Sequence, residues 1–321
     1  MADADTHLGF DASDRFVLVA STGGHLEQLF RWARRWGVTP DRAHWVTFAN
    51  EQSLSLLEGW DVTYVEYVRP RDWRGTARAV APIVKAIKDA DASQVVSTGA
   101  AVAVSAAIAS WRTRRRFTYI ESLARVDRLS ATARILERVP RIRRYVQSPQ
   151  LVSSRFAYAG SILDDFSVEG APERSTDDSL RVLVTVGTIK PYGFDRLLQA
   201  LDPITKGDSV VWQIGESTYE PSHGTVLKSM DRGQLIEELK AADVVVSHAG
   251  VGSILASLGE GRIPLVAARS VVHGEHIDDH QQDIVRMLSA AGLVIPAEIG
   301  ELSRAHLLRT TAFTSRLRTE A

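Results

Sequence analysis

A short strand pattern that runs directly into a glycine turn places the strongest constraint on how this chain can fold. Residues 244–246 are consecutive valines, a β-branched run that suits a strand buried on both faces. Gly250 and Gly252 follow in a tight turn, and a helix is predicted from about Ser253. The start of such a helix presents free backbone N–H groups and the positive end of the helix dipole, which favour a bound phosphate. The pattern therefore predicts a parallel sheet with a nucleotide-diphosphate site at its edge.

The sequence after this turn brings more polar residues to the same edge. Residues 263–268 form a second apolar strand pattern, which ends at Arg269 and is followed by a Gly-Glu-His loop over residues 274–281. Ligands of open parallel sheets bind where the carboxyl ends of the strands meet. We expect the nucleotide site to include the clustered histidines and carboxylates His273, Glu275, His276, Asp278, Asp279 and His280. A metal site is the weaker alternative, because these groups can bind metals but their spacing matches no metal motif.

The composition excludes several other classes of protein. A chain of 321 residues with 45% hydrophobic and 24% charged residues is typical of a globular enzyme with two domains. The formal net charge of −1 argues against a dedicated nucleic-acid-binding protein. The lack of cysteines excludes disulfides, thiolate metal sites and thiol nucleophiles, and it suits a cytoplasmic protein. The polar start does not resemble a signal peptide, and the longest apolar run is shorter than the ~20 residues that span a bilayer.

Strand and helix patterns alternate along both halves of the chain. The alternation over residues 15–160 and again over residues 180–302 predicts two Rossmann-like domains, each with a parallel sheet covered by helices. Residues 161–179 are acidic and polar with little periodicity, so we interpret them as a linker. Residues 303–321 are predicted to contain a C-terminal helix, over about 303–317, that could pack back on the first domain. The expected fold class is α/β, with the two sheets facing each other across a cleft.

Several short motifs, taken together, resemble one group of enzymes. In the first half they are Thr-Gly-Gly-His at 22–25, Ser-Thr-Gly at 97–99 and Glu-Ser-Leu-Ala-Arg at 121–125. In the second half they are Gln-Ile-Gly at 213–215, Ser-His-Ala-Gly-Val-Gly-Ser at 247–253 and Gly-Glu-His-Ile-Asp-Asp-His-Gln at 274–281. The second half resembles the donor domain of glycosyltransferases of the GT-B fold that act on lipid-linked sugars, like the C-terminal domain of glycosyltransferase family 28. The first half is similar to the membrane-associated partner subunit of such enzymes.

The resemblance implies a fusion of the two subunits that, in eukaryotes, add N-acetylglucosamine to dolichyl-diphosphate-N-acetylglucosamine. Among bacterial relatives, the chain is most similar to those that build capsular and exopolysaccharide repeat units on undecaprenyl diphosphate. The implied function is an inverting transfer of a sugar from a UDP-sugar to a polyprenyl-diphosphate-linked saccharide at the inner face of the cytoplasmic membrane. Neither a cofactor nor a metal is expected, nor is nucleic acid a partner. A non-catalytic enhancer of another glycosyltransferase and a UDP-sugar epimerase of the same fold are the alternatives, and the identity of the sugar stays open.

The same resemblance assigns residues to the donor and acceptor sides. The expected donor-binding residues are Gly187, Thr188, Gln213, His248, Gly250, Gly252, Ser253, Arg269, Glu275, His276, Asp279, His280 and Gln281. Related donor domains often bind ribose with a glutamate at the position of Ala256, so Glu275 becomes the candidate for that contact. The expected acceptor-side residues are Gly23, Gly24, Thr98, Gly99 and Arg125.

His25 is the first candidate for the catalytic base, because an unperturbed imidazole titrates near neutral pH. A role in orienting its loop is about equally compatible with the sequence. Glu121 is the reserve base, although an ion pair with Arg125 is the more natural role for it. Arginines mixed with apolar residues over 112–116 and 134–144 favour contact with an anionic membrane, or else form a solvated basic face.

Overall fold

A computed structural model of the chain describes residues 8–69, 71–172, 174–175, 178–188, 191–275 and 280–318, with the backbone alone at residue 280. The described chain divides into two compact units between Ile162 and Leu163. Most of residues 161–179, which the sequence suggested as a linker, belong to the second unit.

The first unit is a sheet of seven parallel strands with helices between them. Its strands are β1 Phe16–Val19, β2 Ala43–Phe48, β3 Asp61–Val65, β4 Gln94–Ser97, β5 Arg116–Ile120, β6 Ile142–Val146 and β7 Ala157–Tyr158. Its helices are α1 Gly24–Arg35, α2 Glu51–Leu56, α3 Trp73–Asp89, α4 Val102–Thr113 and α5 Ala131–Leu136. The strand order is β3-β2-β1-β4-β5-β6-β7, so the direction of winding reverses between β1 and β4. The loops after these two strands meet at the edge where doubly wound sheets bind ligands.

The second unit contains a similar sheet of six parallel strands and a separate pair of antiparallel strands. Its strands are β8 Phe166–Gly170, β9 Arg181–Thr185, β10 Ser209–Gln213, β11 Thr225–Leu227, β12 Val244–His248, β13 Leu265–Ala267, β14 Ile295–Pro296 and β15 Phe313–Leu317. Its helices are α6 Asp195–Ile204, α7 Arg232–Ala241, α8 Val251–Gly259, α9 His280–Ala290 and α10 Arg304–Thr311. The six-stranded order is β11-β10-β9-β12-β13-β14, and the reversal falls between β9 and β12. The valine run of β12 is buried on both faces, as its composition predicts.

The C-terminal segment differs from the helix predicted over residues 303–317. Helix α10 ends at Thr311, and β15 pairs antiparallel with β8, a strand inside the predicted linker. Ser315 also attaches β15 to α8, because its buried hydroxyl donates to the carbonyl of Leu258 at 2.7 Å. Helix α10 packs on β12 and β13, in the second unit. The helix prediction was wrong beyond Thr311 because two short strands that are far apart in sequence stabilise each other only once they pair.

Of the helices that the structure describes, none combines the length and the apolar character needed to cross a membrane.

Candidate functional site

A histidine enclosed by glycines marks the reversal point of the second sheet. His248 ends β12, is buried, and lies with its Nδ1 atom 3.4 Å from the carbonyl of Thr185. A Cβ atom added at Gly187 would come within 2.7 Å of the His248 ring, and one at Gly250 would lie closer still. Gly187 also has a φ angle of 76°, in the left-handed region. Both glycines are therefore required to seat this imidazole at the carboxyl edge of the sheet.

Helix α8 begins directly beside His248. Its first residue follows Gly250, which has no side chain to cap the helix, and the first N–H group with a helical partner is that of Ile254. The helix begins at Val251, two residues before the predicted start, so Gly252 and Ser253 lie in its first turn. Uncapped N–H groups and the helix dipole give this turn a positive potential that suits an anion.

Arg269, just after β13, places a buried positive charge at the same edge. The residue is 0% exposed, its Nη2 atom donates to the carbonyl of Val186, and its guanidinium lies 5.6 Å from the centre of the Phe194 ring. Within the described part of the chain, its Nε and Nη1 atoms have no hydrogen-bond partner. Burial lowers the pKa of Arg269 to about 10, while the negative charge of Glu275 acts in the opposite direction. The guanidinium thus remains charged at neutral pH and keeps two buried donor atoms without an acceptor among the described residues.

The carboxylate of Glu275 forms an ion pair with Arg196, so its predicted contact with ribose is not supported. Arg196 on α6 donates to the two carboxylate oxygens of Glu275 over 2.7 and 2.9 Å, and the N–H of Ser270 donates to the carboxylate at 3.0 Å. The carboxylate is buried and has protein donors on both oxygens. It holds the loop after β13 against α6.

Two glutamines assigned to the donor site also have structural roles. The Oε1 atom of Gln213 accepts from the hydroxyl of Thr185 at 2.8 Å and from the N–H of Gly187 at 3.1 Å. Its Nε2 atom donates to the carbonyls of Gly187 and Lys228. Gln281 accepts the N–H of Arg269 at 2.9 Å. These side-chain amides fix the loops at the sheet edge through hydrogen bonds to other protein groups.

The remaining donor-side predictions are only partly described. Thr188 is exposed in the loop after Gly187. His276 and Asp279 lie outside the described residues, and His280 begins α9 with its side chain undescribed. His273 is exposed in a short 3-10 segment, Val271–His273. Among the side chains that are described, no three histidines or carboxylates gather in a group that could hold a metal ion.

In the first unit, a second histidine lies at the reversal point of its sheet. The Nδ1 atom of His25, at the start of α1, is 2.8 Å from the carbonyl of Thr98, and the Thr98 hydroxyl donates back to the carbonyl of His25 at 2.8 Å. A carbonyl can only accept, so Nδ1 carries the proton and Nε2 keeps its lone pair. Gly99 has a φ angle of 124°, and a Cβ atom there would lie 2.9 Å from the ring of His25. The arrangement presents a neutral imidazole with a fixed tautomer, as a general base requires.

The protonation state of His25 agrees with this role. Burial lowers the pKa of His25 below its ordinary value of 6.5, while the Thr98 hydrogen bond and the charge of Glu121 act in the opposite direction. The positive charge of Arg125 also lowers the pKa of His25. Arg125 is half-buried, and its charge therefore acts on the same imidazole as that of Glu121. The imidazole is therefore neutral at pH 7.

Glu121, the reserve base, is buried and occupied by donors. Its Oε1 atom accepts from the Tyr119 hydroxyl at 2.9 Å and from the N–H of Ser122 at 3.0 Å. Its Oε2 atom accepts from the N–H of Ser130 at 2.8 Å. A carboxylate held in this way organises its loop, and the geometry favours His25 as the base.

The glycines that precede His25 shape its turn. Gly23 has a φ angle of 86° and exchanges hydrogen bonds with the side chain of Gln52, which donates to the Gly23 carbonyl at 3.2 Å. Helix α1 then begins at Gly24. Both residues therefore act through the backbone.

Gln28 is a supporting residue that the sequence reading missed. Its Nε2 atom donates to the Gly24 carbonyl at 3.0 Å and to the Ser122 hydroxyl at 3.1 Å, and its Oε1 atom accepts from the Leu123 N–H at 2.8 Å and from Gln147 at 3.1 Å. It thereby joins the helix of His25 to the loop of Glu121. The one available signal was a polar side chain within the apolar face of α1.

Comparison with known proteins adds a partial sequence relationship. No protein-family model matches the chain. A segment is 34% identical over 121 residues to the human UDP-N-acetylglucosamine transferase subunit ALG13, and it covers 35% of this chain and 10% of that protein. A mouse protein of the same name is also 34% identical, over 126 residues. The chain thus spans about a tenth of the length of the curated relatives that it matches.

Similarity in structure extends along nearly the whole chain. MurG of Acinetobacter baumannii matches with a TM-score of 0.57 at 16% identity, covering 93% of each chain. The glycosyltransferase SnogD from Streptomyces nogalater gives 0.57 at 16% identity, covering 93% of this chain and 91% of its own. The fold is GT-B. Two Rossmann-like domains with parallel sheets of seven and six strands confirm the predicted fold class.

The same fold also occurs in epimerases. UDP-GlcNAc 2-epimerase from Neisseria meningitidis, in a structure bound to UDP-GlcNAc, matches with a TM-score of 0.55 at 11% identity, covering 91% of this chain and 97% of its own. At such identities the similarity shows the fold alone, so the chemistry has to be argued from the residues at the two sheet edges.

Proposed function

We propose that this GT-B protein is a UDP-sugar glycosyltransferase whose second unit binds the donor. The observation that carries the proposal is the buried guanidinium of Arg269, which has unpartnered donors within the described chain and lies at the carboxyl edge of the second sheet. A buried guanidinium whose donors lack acceptors is unfavourable unless a ligand supplies them. The partly similar human protein is named a UDP-N-acetylglucosamine transferase subunit, which supports a UDP-sugar as that ligand.

The donor diphosphate would be held by three elements of this edge. Arg269 supplies charge-assisted hydrogen bonds, the first turn of α8 supplies backbone N–H groups with Gly252 and Ser253, and His248 supplies an imidazole beside Gly187. Positive charge and preorganised N–H groups stabilise a departing diphosphate without a metal. We therefore propose a metal-independent reaction.

The first unit would hold the acceptor and supply the base. The Nε2 atom of His25 removes the proton from the attacking acceptor hydroxyl while the bond from the sugar to UDP breaks, and UDP leaves with the bonding electrons. Single displacement at the anomeric carbon inverts its configuration. The neutral state and fixed tautomer of His25 support this role.

We further propose a polyprenyl-diphosphate-linked saccharide as the acceptor, in the assembly of a capsular or exopolysaccharide at the inner face of the cytoplasmic membrane. The motif resemblance and the exposed face of α3 support this. Trp73 is 71% exposed at the start of the helix, with the Arg74 guanidinium 5.1 Å from its ring centre. Other exposed side chains of the same face are Arg78, Lys85 and Lys88. Aromatic and basic side chains on one helix face favour binding to an anionic lipid surface.

The basic segments singled out in the sequence are less suited to this contact. Arg143 donates to the carbonyl of Leu8 at 2.9 Å, and Arg144 donates to that of Leu136 at 2.8 Å. Residues 112–116 lie at the end of α4 and the start of β5, the edge of the sheet opposite to His25. Helix α3 instead begins on the carboxyl side of the sheet.

Binding to lipid vesicles should therefore depend on α3. Replacing Trp73 with alanine, together with Arg74→Gln and Arg78→Gln, should weaken binding to vesicles that contain anionic lipid by at least about tenfold, since each basic residue contributes ~1 kcal/mol near such a surface. Cosedimentation measures the effect. The matched control is Trp111→Ala with Arg112→Gln and Arg114→Gln, because Trp111 is similarly exposed, at 78%, near the end of α4. A larger loss in the control would move the membrane contact to the arginine segment.

Calorimetry with UDP tests the donor site directly. The purified protein should bind UDP, transfer sugar from one member of a panel of UDP-sugars into membrane lipid, and remain active in EDTA. Gly252→Asp should abolish UDP binding and keep the fold, because a carboxylate in the first turn stabilises the helix but repels an anion. Gly252→Asn, of similar size without the charge, should lose much less. UDP affinity unchanged by Gly252→Asp in a folded protein would rule out this site.

An epimerase is the second candidate, favoured by the UDP-GlcNAc 2-epimerase of the same fold. It would convert a UDP-sugar to its epimer without any lipid. Product analysis by NMR in the absence of acceptor separates the two activities. UDP binding without either reaction would indicate the non-catalytic partner.

A further inference from the structure

Glu275 lies between two arginines that are used differently. Arg196 binds its carboxylate through two parallel hydrogen bonds, of 2.7 and 2.9 Å. Arg269 is close enough for the charge of Glu275 to raise its pKa, yet its Nε and Nη1 atoms have no partner among the described residues. The buried carboxylate of Glu275 thus pairs with the half-buried Arg196. The fully buried Arg269 keeps two donor atoms without a described partner.

The short loop that holds Glu275 keeps its carboxylate near Arg269, so the partner of the carboxylate depends on whether Arg196 is present. The N–H of Glu275 donates to the carbonyl of Ser270 at 3.1 Å, and the N–H of Ser270 donates to the carboxylate at 3.0 Å. The loop therefore keeps the carboxylate near Arg269 whether or not Arg196 is present. An unpaired buried carboxylate is strongly unfavourable, so without Arg196 the carboxylate would turn to Arg269, whose pKa its charge already raises.

We propose that Arg196 is a positioning residue that occupies the carboxylate of Glu275 and thereby leaves Arg269 free to bind the donor diphosphate. The inference rests on the proposed function, because it takes UDP as the ligand of Arg269. Glu275 is then an internal competitor of the diphosphate, and the bidentate pair with Arg196 suppresses that competition. This assignment replaces the role in ribose binding that the sequence had suggested for Glu275.

The proposal predicts a rescue. Arg196→Gln should weaken UDP binding by roughly tenfold or more, since the released carboxylate takes a charged hydrogen bond away from the diphosphate. Glu275→Gln alone should leave UDP affinity unchanged or increase it. The double variant should return to within about threefold of the parent affinity, because the competitor is gone. Calorimetry with UDP measures all of these, and thermal unfolding verifies that each variant is folded.

A purely structural role gives a different pattern. If Arg196 and Glu275 only hold the loop, both single variants should weaken UDP binding and the double variant should not recover, which would overturn the proposal, as would an unchanged Arg196→Gln. The matched control is the pair of Arg304 and Asp208, another bidentate ion pair of the same unit, with distances of 2.7 and 3.1 Å, at the opposite edge of the sheet. Arg304→Gln should lower the unfolding temperature without changing UDP affinity.

One further variant separates this inference from the proposed function. If Arg269→Met leaves UDP affinity unchanged, Arg269 is not the diphosphate ligand, and both ideas fail at that point. If Arg269→Met weakens binding but Arg196→Gln does not, the donor site stands and only the positioning role of Arg196 is wrong.

Discussion

Replacing Arg269 with methionine is expected to weaken UDP binding by at least about tenfold while leaving thermal stability nearly unchanged. Hydrogen bonds to charged groups contribute about 1.5–3 kcal/mol, and ~1.4 kcal/mol corresponds to a factor of ten in affinity. The fold loses the hydrogen bond from Arg269 to Val186. It also loses a buried charge with two unpartnered donor atoms, whose replacement by an apolar side chain of similar volume is often neutral or stabilising. Calorimetry with UDP and thermal unfolding measure the two effects.

Arg262 offers a matched control for this prediction. It precedes β13, whereas Arg269 follows it, so the two arginines lie at opposite ends of one strand. Arg262 donates to the carbonyl of Lys240 at 2.8 Å, and its Nε atom also has no partner within the described chain. Arg262→Met should leave UDP affinity unchanged. Equal losses in both variants would mean that methionine disturbs the sheet, and an unaffected Arg269→Met would remove the buried charge as the donor anchor.

The fold could be predicted because each strand and the turn after it are encoded by neighbouring residues in the sequence. The valine run of β12 and the glycine-rich start of α8 mark a buried strand and the turn that follows it, and a similar strand-then-glycine pattern occurs in the first half. The pairing of β8 with β15 could not be predicted in this way. Its strands are short, are far apart in sequence and carry no strong alternation, so their conformation depends on each other.

The sequence predicted which end of the sheet several polar side chains occupy, but not which groups they bind. Glu275, Gln213 and Gln281 lie at the expected edge, yet each carries hydrogen bonds to the protein. Whether a polar side chain faces a ligand or a protein group depends on partners that the sequence does not reveal. Arg196, for example, lies 79 positions away from Glu275.

The contacts at the two points where the strand order reverses could not be predicted from sequence either. In the first unit, a histidine at the start of the helix after β1 packs against a glycine after β4. In the second, a glycine after β9 packs against a histidine that ends β12. Each contact follows from the strand order, because the strands on either side of a reversal are neighbours in the sheet. The glycine turns were evident from sequence, but their pairing with His25 and His248 required the sheet.

His25→Asn is expected to reduce the rate of sugar transfer by about 10²–10⁴, the usual contribution of a general base, while UDP affinity stays unchanged. Asparagine can still donate to the Thr98 carbonyl, so the turn is retained, but it has no lone pair of comparable basicity. The measurement is transfer of labelled sugar from a UDP-sugar into membrane lipid. His44→Asn is the control: this buried histidine of β2 has its nitrogens 2.6 Å from Asp61 and 2.8 Å from Thr63, so its loss removes no available base.

The pH dependence gives a second test of the same residue. Because burial lowers the pKa of His25 below 6.5, the imidazole stays unprotonated as the pH falls through that value. The acid limb of kcat/KM, which reports the free enzyme, should therefore lie below pH 6.5 and be absent from the residual activity of His25→Asn. An acid limb above pH 6.5, or one that persists in the variant, would assign the proton transfer to another group. Full transfer by His25→Asn would leave His25 with only its structural role of tying α1 to the loop after β4.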